Sequence, residues 1–256
     1  MDLGLTGKTA LITGASKGIG RAVAMALASE GVSLHITART AEDLEAAADA
    51  IRRQFDVPVT THAHDLSDSV EQQALLAAIG DIDILINNAG AIPGGDIEAV
   101  DEAQWREAWD LKVFGYINLT RACIGAMRGR DRGGVIVNIL GVAGEKLDAN
   151  YVAGSTGNAS LMAFTRAVGN KSFDQGVRVV GINPGAVLTD RIEQLYRGRA
   201  EREKGDENRW QDYFGTLPLQ RAAHPEEVAD LATFLASDRA SYINATIVTI
   251  DGGSAQ

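Results

Sequence analysis

The chain has a single cysteine, Cys123, among 256 residues, so no intramolecular disulfide can form and a reducing compartment suits it. Cys123 falls in an amphipathic stretch and is expected in the core rather than in chemistry. Histidine is scarce too. The four, at 35, 62, 64 and 224, are too scattered to suggest a zinc site and no metal is expected, although His62 and His64 would share one face of a strand. No apolar run reaches the roughly 18 residues of a membrane span. The N-terminus MDLGLTGK lacks the apolar stretch of a signal peptide, and a soluble cytoplasmic protein is expected. Basic residues are outnumbered 24 to 34, giving a formal charge of −10, which argues against nucleic acid or a bilayer surface as partner. There is no internal repeat and no Pro- or Ser-rich linker, so residues 1–256 read as one domain.

What is present is alternation. Nearly continuous apolar runs at Thr9–Thr13, Ser33–Ala38, Val59–His64, Ile82–Ile86, Val135–Leu140, Val177–Ile182 and Thr246–Ile250 read as strands buried on both faces. Helical patterns lie between them at Arg21–Glu30, Ala41–Gln54, Val70–Ile79, Asp101–Arg128, Val152–Gly169 and Pro225–Ser237. The expected fold is α/β, a doubly wound Rossmann-type parallel sheet of about seven strands with helices on both faces. Residues 189–221 break the rhythm: they are dense in charge (RGRAEREKGDENRWQD) yet carry Leu195, Tyr196, Trp210, Tyr213 and Phe214. They read either as a solvated helical insertion or as a substrate lid whose aromatic side covers a ligand.

Directly after the first strand comes Thr13-Gly14-Ala15-Ser16-Lys17-Gly18-Ile19-Gly20, leading into a helix. In a turn that meets a pyrophosphate, Gly14 permits the tight bend, Gly18 lets backbone approach the phosphates, and Gly20 lets helix pack on strand. The helix N-terminus then offers free N–H groups to the anion. At the tip of the second strand, Thr37-Ala38-Arg39-Thr40 supplies no carboxylate for a ribose 2′-hydroxyl. Arg39, nineteen residues beyond Gly20, together with Lys17, offers positive charge to a 2′-phosphate, so NADP(H) is favoured over NAD(H). The plainer alternative is that Arg39 caps a surface loop.

With these residues in view, the chain resembles the short-chain dehydrogenase/reductase family over almost its whole length. TGASKGIG is similar to the family's cofactor loop, and His64-Asp65-Leu66 to the end of its third strand, where Asp meets adenine. Asn87-Asn88-Ala89-Gly90 resembles its NNAG motif, Asn183-Pro184-Gly185-Ala186-Val187-Leu188-Thr189 the segment that grips the nicotinamide carboxamide, and Asp251-Gly252-Gly253 the close of its last strand. The resemblance implies cofactor contacts from Gly14, Ser16, Lys17, Gly18, Ile19, Gly20, Arg39, Asp65, Leu66, Asn88, Ala89, Gly90, Asn158, Pro184, Gly185, Val187 and Thr189. It also implies a homotetramer or dimer paired through the helices around Trp105–Arg128 and from Val152.

The catalytic positions depart from the family. None of its five tyrosines is followed four residues later by Lys, and counting back from Pro184, with Thr165-Arg166 as a check, puts Gly154 at the family's Tyr and Asn158 at its Lys. By the same register its Ser is Gly141 and its Asn is Lys112. Tyr151, three residues before Gly154, would share a face with it and with Asn158 on a continuous helix, and could lean into the vacated volume. Tyr151 and Lys112 are therefore the candidate acid/base pair, the alternative being packing for the one and a structural contact for the other. The expected function is an NADP-dependent oxidoreductase moving hydride to or from a small hydroxyl, carbonyl or activated-alkene substrate with a non-standard acid/base arrangement. The alternative is a catalytically inactive NADP-binding sensor of the same fold; a third possibility is isomerisation or elimination on bound cofactor.

Overall fold

The computed structural model describes residues 1–131 and 133–255. The chain runs β1 (Thr9–Thr13), α1 (Gly18–Ser29), β2 (Ser33–Ala38), α2 (Ala41–Arg52), β3 (Val59–Ala63), α3 (Ser69–Ile79), β4 (Ile84–Asn87), α4 (Glu102–Trp109) and α5 (Gly115–Met127). It continues with β5 (Gly134–Ile139), α6 (Val152–Ser172), β6 (Val177–Pro184), α7 (Asp190–Lys204), α8 (Pro225–Ala236) and β7 (Ile247–Ile250). The seven strands form one parallel sheet in the order β3-β2-β1-β4-β5-β6-β7. The order reverses between β1 and β4, and the crevice above the C-terminal ends of those strands is where such sheets bind ligands.

The period-2 geometry of the strands divides the core between two faces. In β1 and β4, Ala10, Ile12, Ile84 and Ile86 pack with α1, α2 and α8 through Val23, Leu27, Leu44 and Leu235, whereas Leu11 and Leu85 turn the other way onto Leu75, Leu119 and Ile136. Cys123 belongs to that second cluster, is 3% exposed, and burial pushes its thiol up to about 12. No helix among the described residues is long and apolar enough to cross a membrane.

Strand boundaries fall within three residues of the sequence reading. The larger departure is the helix expected over Asp101–Arg128, which is interrupted by a π-helical turn at Asp110–Phe114 between α4 and α5. A π turn adds one residue and leaves the 3.6-residue patterns on either side intact, so hydrophobic periodicity does not register it. It carries Lys112 into the crevice, beside Gly90: a Cβ on Gly90 would stand 2.8 Å from the Lys112 Cδ. The end of α4 also half-buries the Trp109 indole, whose Nε1 donates to the Ala153 carbonyl at 3.1 Å.

Candidate functional site

The C-terminal ends of strands β1 to β6 build the site. After β1 the glycine loop turns at Gly14, in the left-handed region (φ +64°), and enters α1 at Gly18. A Cβ on Gly20 would collide with the Gly14 carbonyl oxygen, which fixes how tightly α1 packs against the turn and accounts for the third glycine. After β4 the next loop is clamped onto this one. Thr13 Oγ1 accepts from the amides of Asn88 (2.9 Å) and Ala89 (3.0 Å), while the Asn88 side-chain amide donates to the carbonyls of Thr13 (2.9 Å) and Gly14 (3.1 Å). Beneath the floor, Asn87 Nδ2 donates to Asn138 Oδ1 at 2.9 Å, and Asn138 Nδ2 to Thr165 Oγ1 at 2.9 Å, which ties β4, β5 and α6 together through a buried polar chain.

The result is a cleft of about 1210 Å³. That exceeds the ~300–1,000 Å³ of a usual small-molecule pocket, as a dinucleotide plus a second reactant requires. Its walls include Gly14, Ser16, Lys17, Gly18, Ile19, Arg39, Leu66, Asn88, Ala89 and Gly90 from the sequence-predicted set, and on the far side Asn158, Pro184, Gly185, Val187 and Thr189. Gly20 and Asp65 are not on the wall. Gly20 stands behind the loop, and Asp65 Oδ1 accepts from the Ser67 amide (3.0 Å) and hydroxyl (2.8 Å), closing its own turn. Burial of Asp65 raises its pKa, but the Ser67 hydrogen bonds and the Arg39 charge outweigh this and leave it lowered.

The residues fit a nicotinamide dinucleotide. The N-terminus of α1 has no side-chain cap and no acidic residue in its first turn, so its amides are free for a phosphate. Asn158, 2% exposed and on the cleft wall, has an Oδ1 without a hydrogen-bond partner. Such a buried acceptor is costly unless a ligand supplies a donor.

At the reacting end, Gly154 is the informative residue. A Cβ there would overlap the ring of Tyr151, so the phenol ring fills the space in front of Gly154. Tyr151 arrives by a different route from the one expected: it is not on the helix but precedes it, as the cap of α6, with φ −144° and ψ 43°. An isolated parallel bridge to Gly95 holds it there, with the Gly95 amide donating to the Asn150 carbonyl at 2.7 Å. A Cβ at Gly141 would make a tight contact, 3.0 Å from Asn158 Nδ2.

Lys112 and Tyr151 both line the cleft, but the charge bearing on the phenol is that of Arg191, which lines the same cleft and donates to the Ile92 carbonyl. Burial raises the Tyr151 pKa above the usual phenol value, and Arg191 opposes that rise. Lys112 Nζ donates to the Leu140 carbonyl at 2.8 Å and lies 5.9 Å from the centre of the Tyr116 ring. Desolvation, with Arg191 adding repulsion, lowers Lys112 to about 7. Sequence reasoning missed Arg191. The only available signal was a basic residue two positions past Thr189, inside a stretch crowded with surface charge.

Residues 189–221 fold as α7, started by Thr189 Oγ1 accepting from the Ile192 amide, followed by short 3₁₀ turns at Glu207–Thr216 and Pro218–Gln220. Leu195, Tyr196 and Tyr213 face the cleft. Trp210 and Phe214 instead meet edge to face, with ring centres 5.3 Å apart, and Arg197 covers the Trp210 indole at 5.7 Å.

A parallel sheet with a glycine turn at its reversal point and a cleft of this size is the framework of a dinucleotide-binding enzyme. Comparison with known proteins narrows the class. Residues 8–200 match the short chain dehydrogenase family profile, and the chain belongs to that family of oxidoreductases. It is 32% identical to the 7alpha-hydroxysteroid dehydrogenase of Escherichia coli (strain K12) over 264 residues, covering 100% of this chain and 97% of that protein. It is 35% identical to Oxidoreductase UcpA of Salmonella typhimurium over 255 residues, covering 98% and 95%. Among solved structures, L-sorbose reductase from Gluconobacter frateurii, complexed with NADPH and L-sorbose, superposes with a TM-score of 0.91 at 31% identity over 100% and 99% of the two chains. A 7α-hydroxysteroid dehydrogenase complexed with NADH gives 0.87 at 29% identity over 98% and 96%.

Two measurements check this geometry. Alanine is ordinarily preferred to glycine in a helix by ~0.5–1 kcal/mol, whereas overpacking costs ~1–3 kcal/mol. Gly154→Ala should therefore destabilise the protein by about 1–3 kcal/mol in thermal unfolding, and be neutral or stabilising in a Tyr151→Ala background. Equal effects in both backgrounds would contradict the ring's position. For Lys112, the cofactor-free folded state holds the proton less tightly than the unfolded chain, where the ordinary value is 10.5. The unfolded state then binds more protons above about pH 7, so stability rises with pH from there toward the unfolded value. Urea midpoints should climb from about pH 7 to about pH 9, and Lys112→Met should flatten the rise; parallel slopes in the two proteins would contradict a desolvated ammonium.

Proposed function

We propose that the protein is an NADP(H)-dependent oxidoreductase of small carbonyl or hydroxyl substrates in which the Tyr151 phenol exchanges the proton. The observation that carries this reading is the Tyr151 ring filling the space in front of Gly154, where the family resemblance puts a tyrosine side chain. When bound, NADP(H) supplies or accepts the hydride at the substrate carbon. The chain's own part is the proton on oxygen. Burial raises the Tyr151 pKa, so the phenol is protonated at neutral pH and can donate to a carbonyl oxygen during reduction. The adjacent Arg191 guanidinium stabilises the phenolate left behind. Lys112, held over the end of β5 by the Leu140 carbonyl, adds a second positive group to the same end of the cleft.

NADP(H) is preferred in this reading because the tip of β2 offers Arg39, exposed and on the cleft wall, and no carboxylate. Glu42 and Asp43, the first acids beyond it, belong to the opening turn of α2. Lys17 stands at the phosphate loop, but it is paired with Asp190 at 3.2 Å in an exposed contact that contributes little by itself. Asn158, with its unsatisfied Oδ1, would accept from a hydroxyl of the nucleotide. Residues 189–221 act as the lid, with Leu195, Tyr196 and Tyr213 excluding water from the reacting end. The competing reading, an NADP-binding sensor without turnover, draws on the bare Gly141 and Gly154.

NADPH oxidation followed at the nicotinamide absorbance against a panel of ketones separates the two: cofactor binding with no turnover across the panel favours the sensor. With a ketone that is turned over, Tyr151→Phe should lower kcat by about 10²–10⁴-fold and leave NADPH affinity unchanged. Turnover equal to that of the unaltered protein would remove Tyr151 from the chemistry.

A further inference from the structure

The chain carries a formal charge of −10, yet its cleft is cationic: six Lys and Arg side chains line it against three Asp. Lys17 and Arg39 stand at the glycine loop and the β2 tip, where a phosphorylated cofactor accounts for them. At the opposite end Arg199 is already compensated: it pairs with Glu203 at 2.8 Å and feels Asp148. Lys146 donates to the Ser254 carbonyl and is exposed, so water screens its charge. Arg191 and Lys112 are neither paired nor exposed. Among the described residues neither forms a salt bridge with a carboxylate; each donates only to a backbone carbonyl, of Ile92 and Leu140 respectively. The wall's acids are engaged elsewhere or distant: Asp190 with Lys17, Asp148 Oδ1 with the Asn150 amide, and Asp43 at the far end on α2.

Two like charges facing one cavity without an anion between them repel, and the repulsion is strongest where water is excluded. From this arrangement the geometry points to a substrate that carries its own carboxylate: an oxo acid, or the corresponding hydroxy acid, whose carboxylate is held by Arg191 and Lys112 beside the carbonyl that Tyr151 protonates. A planar guanidinium with only one terminal nitrogen engaged by Ile92 retains donors for a carboxylate. Because Arg191 and Tyr151 line the same end of the cleft and the guanidinium charge bears on the phenol, carboxylate and carbonyl must be separated by few bonds, which selects 2-oxo and 3-oxo acids. The apolar wall of Ile92, Leu195 and Tyr196 takes the remainder of the molecule. This assignment rests on the proposed proton role of Tyr151 for its orientation, and on the cation pair alone for the anion.

The test compares binding of benzoylformate and benzoylacetate with their methyl esters by calorimetry, on both NADP⁺-saturated and cofactor-free protein. At least one acid should bind about tenfold or more tightly than its ester. Arg191→Met should abolish that preference and Arg191→Lys restore part of it, with NADP⁺ affinity unchanged throughout. Esters binding as well as acids, a preference surviving in Arg191→Met, or no binding of either acid to either form would overturn the assignment. Failure to bind NADP⁺ in the preliminary titration would overturn the cofactor reading instead, and the comparison on cofactor-free protein would still decide this one.

Discussion

The contact between the Tyr151 ring and the bare Cα of Gly154 is the constraint on which the reacting end of the cleft depends. A helix that opens with Val152-Ala153-Gly154 presents a flat patch, and the residue just before it has the backbone freedom to fold a side chain back over that patch. The bridge to Gly95 removes this freedom and fixes the ring. Neither half suffices alone. A Cβ at 154 would expel the ring, and a Tyr151 continuing the helix would point along its face instead of across it. The two together place an aromatic hydroxyl on the wall of the cleft.

The electrostatic setting follows from the same packing. The π-helical turn brings Lys112 inward over Gly90, and α7 brings Arg191 across from the other side, so two cations share a poorly hydrated space. Burial, with repulsion from Arg191 added, depresses the ammonium to about 7, and the Arg191 charge restrains the burial-driven rise of the phenol. An acidic protein thus holds a local positive field where its ligands must lie.

Much of this was legible in the residues because it is local. The glycine loop announces itself by lying between an apolar run and a helix, and the seven strands by unbroken apolar runs; both survive nearly unchanged in the structure. Gly154, counted back from Pro184, was expected to leave a space that Tyr151 could fill, and the ring does stand there. The route by which it does so was not legible, since the bridge to Gly95 joins segments 56 residues apart, and no periodicity encodes it. The π turn escaped because it shifts phase without disturbing the pattern on either side. Arg191 escaped because a cation amid RGRAEREKGDENRWQD reads as one more solvated charge until the fold turns it inward.

The most direct measurement is a crystal structure of the protein with NADP⁺ bound, read at one residue. The account predicts the Tyr151 ring packed on Gly154, its hydroxyl open to the nicotinamide side of the cleft and the Arg191 guanidinium beside it. A ring swung out toward solvent, with ordered water or another side chain in the space before Gly154, would contradict it.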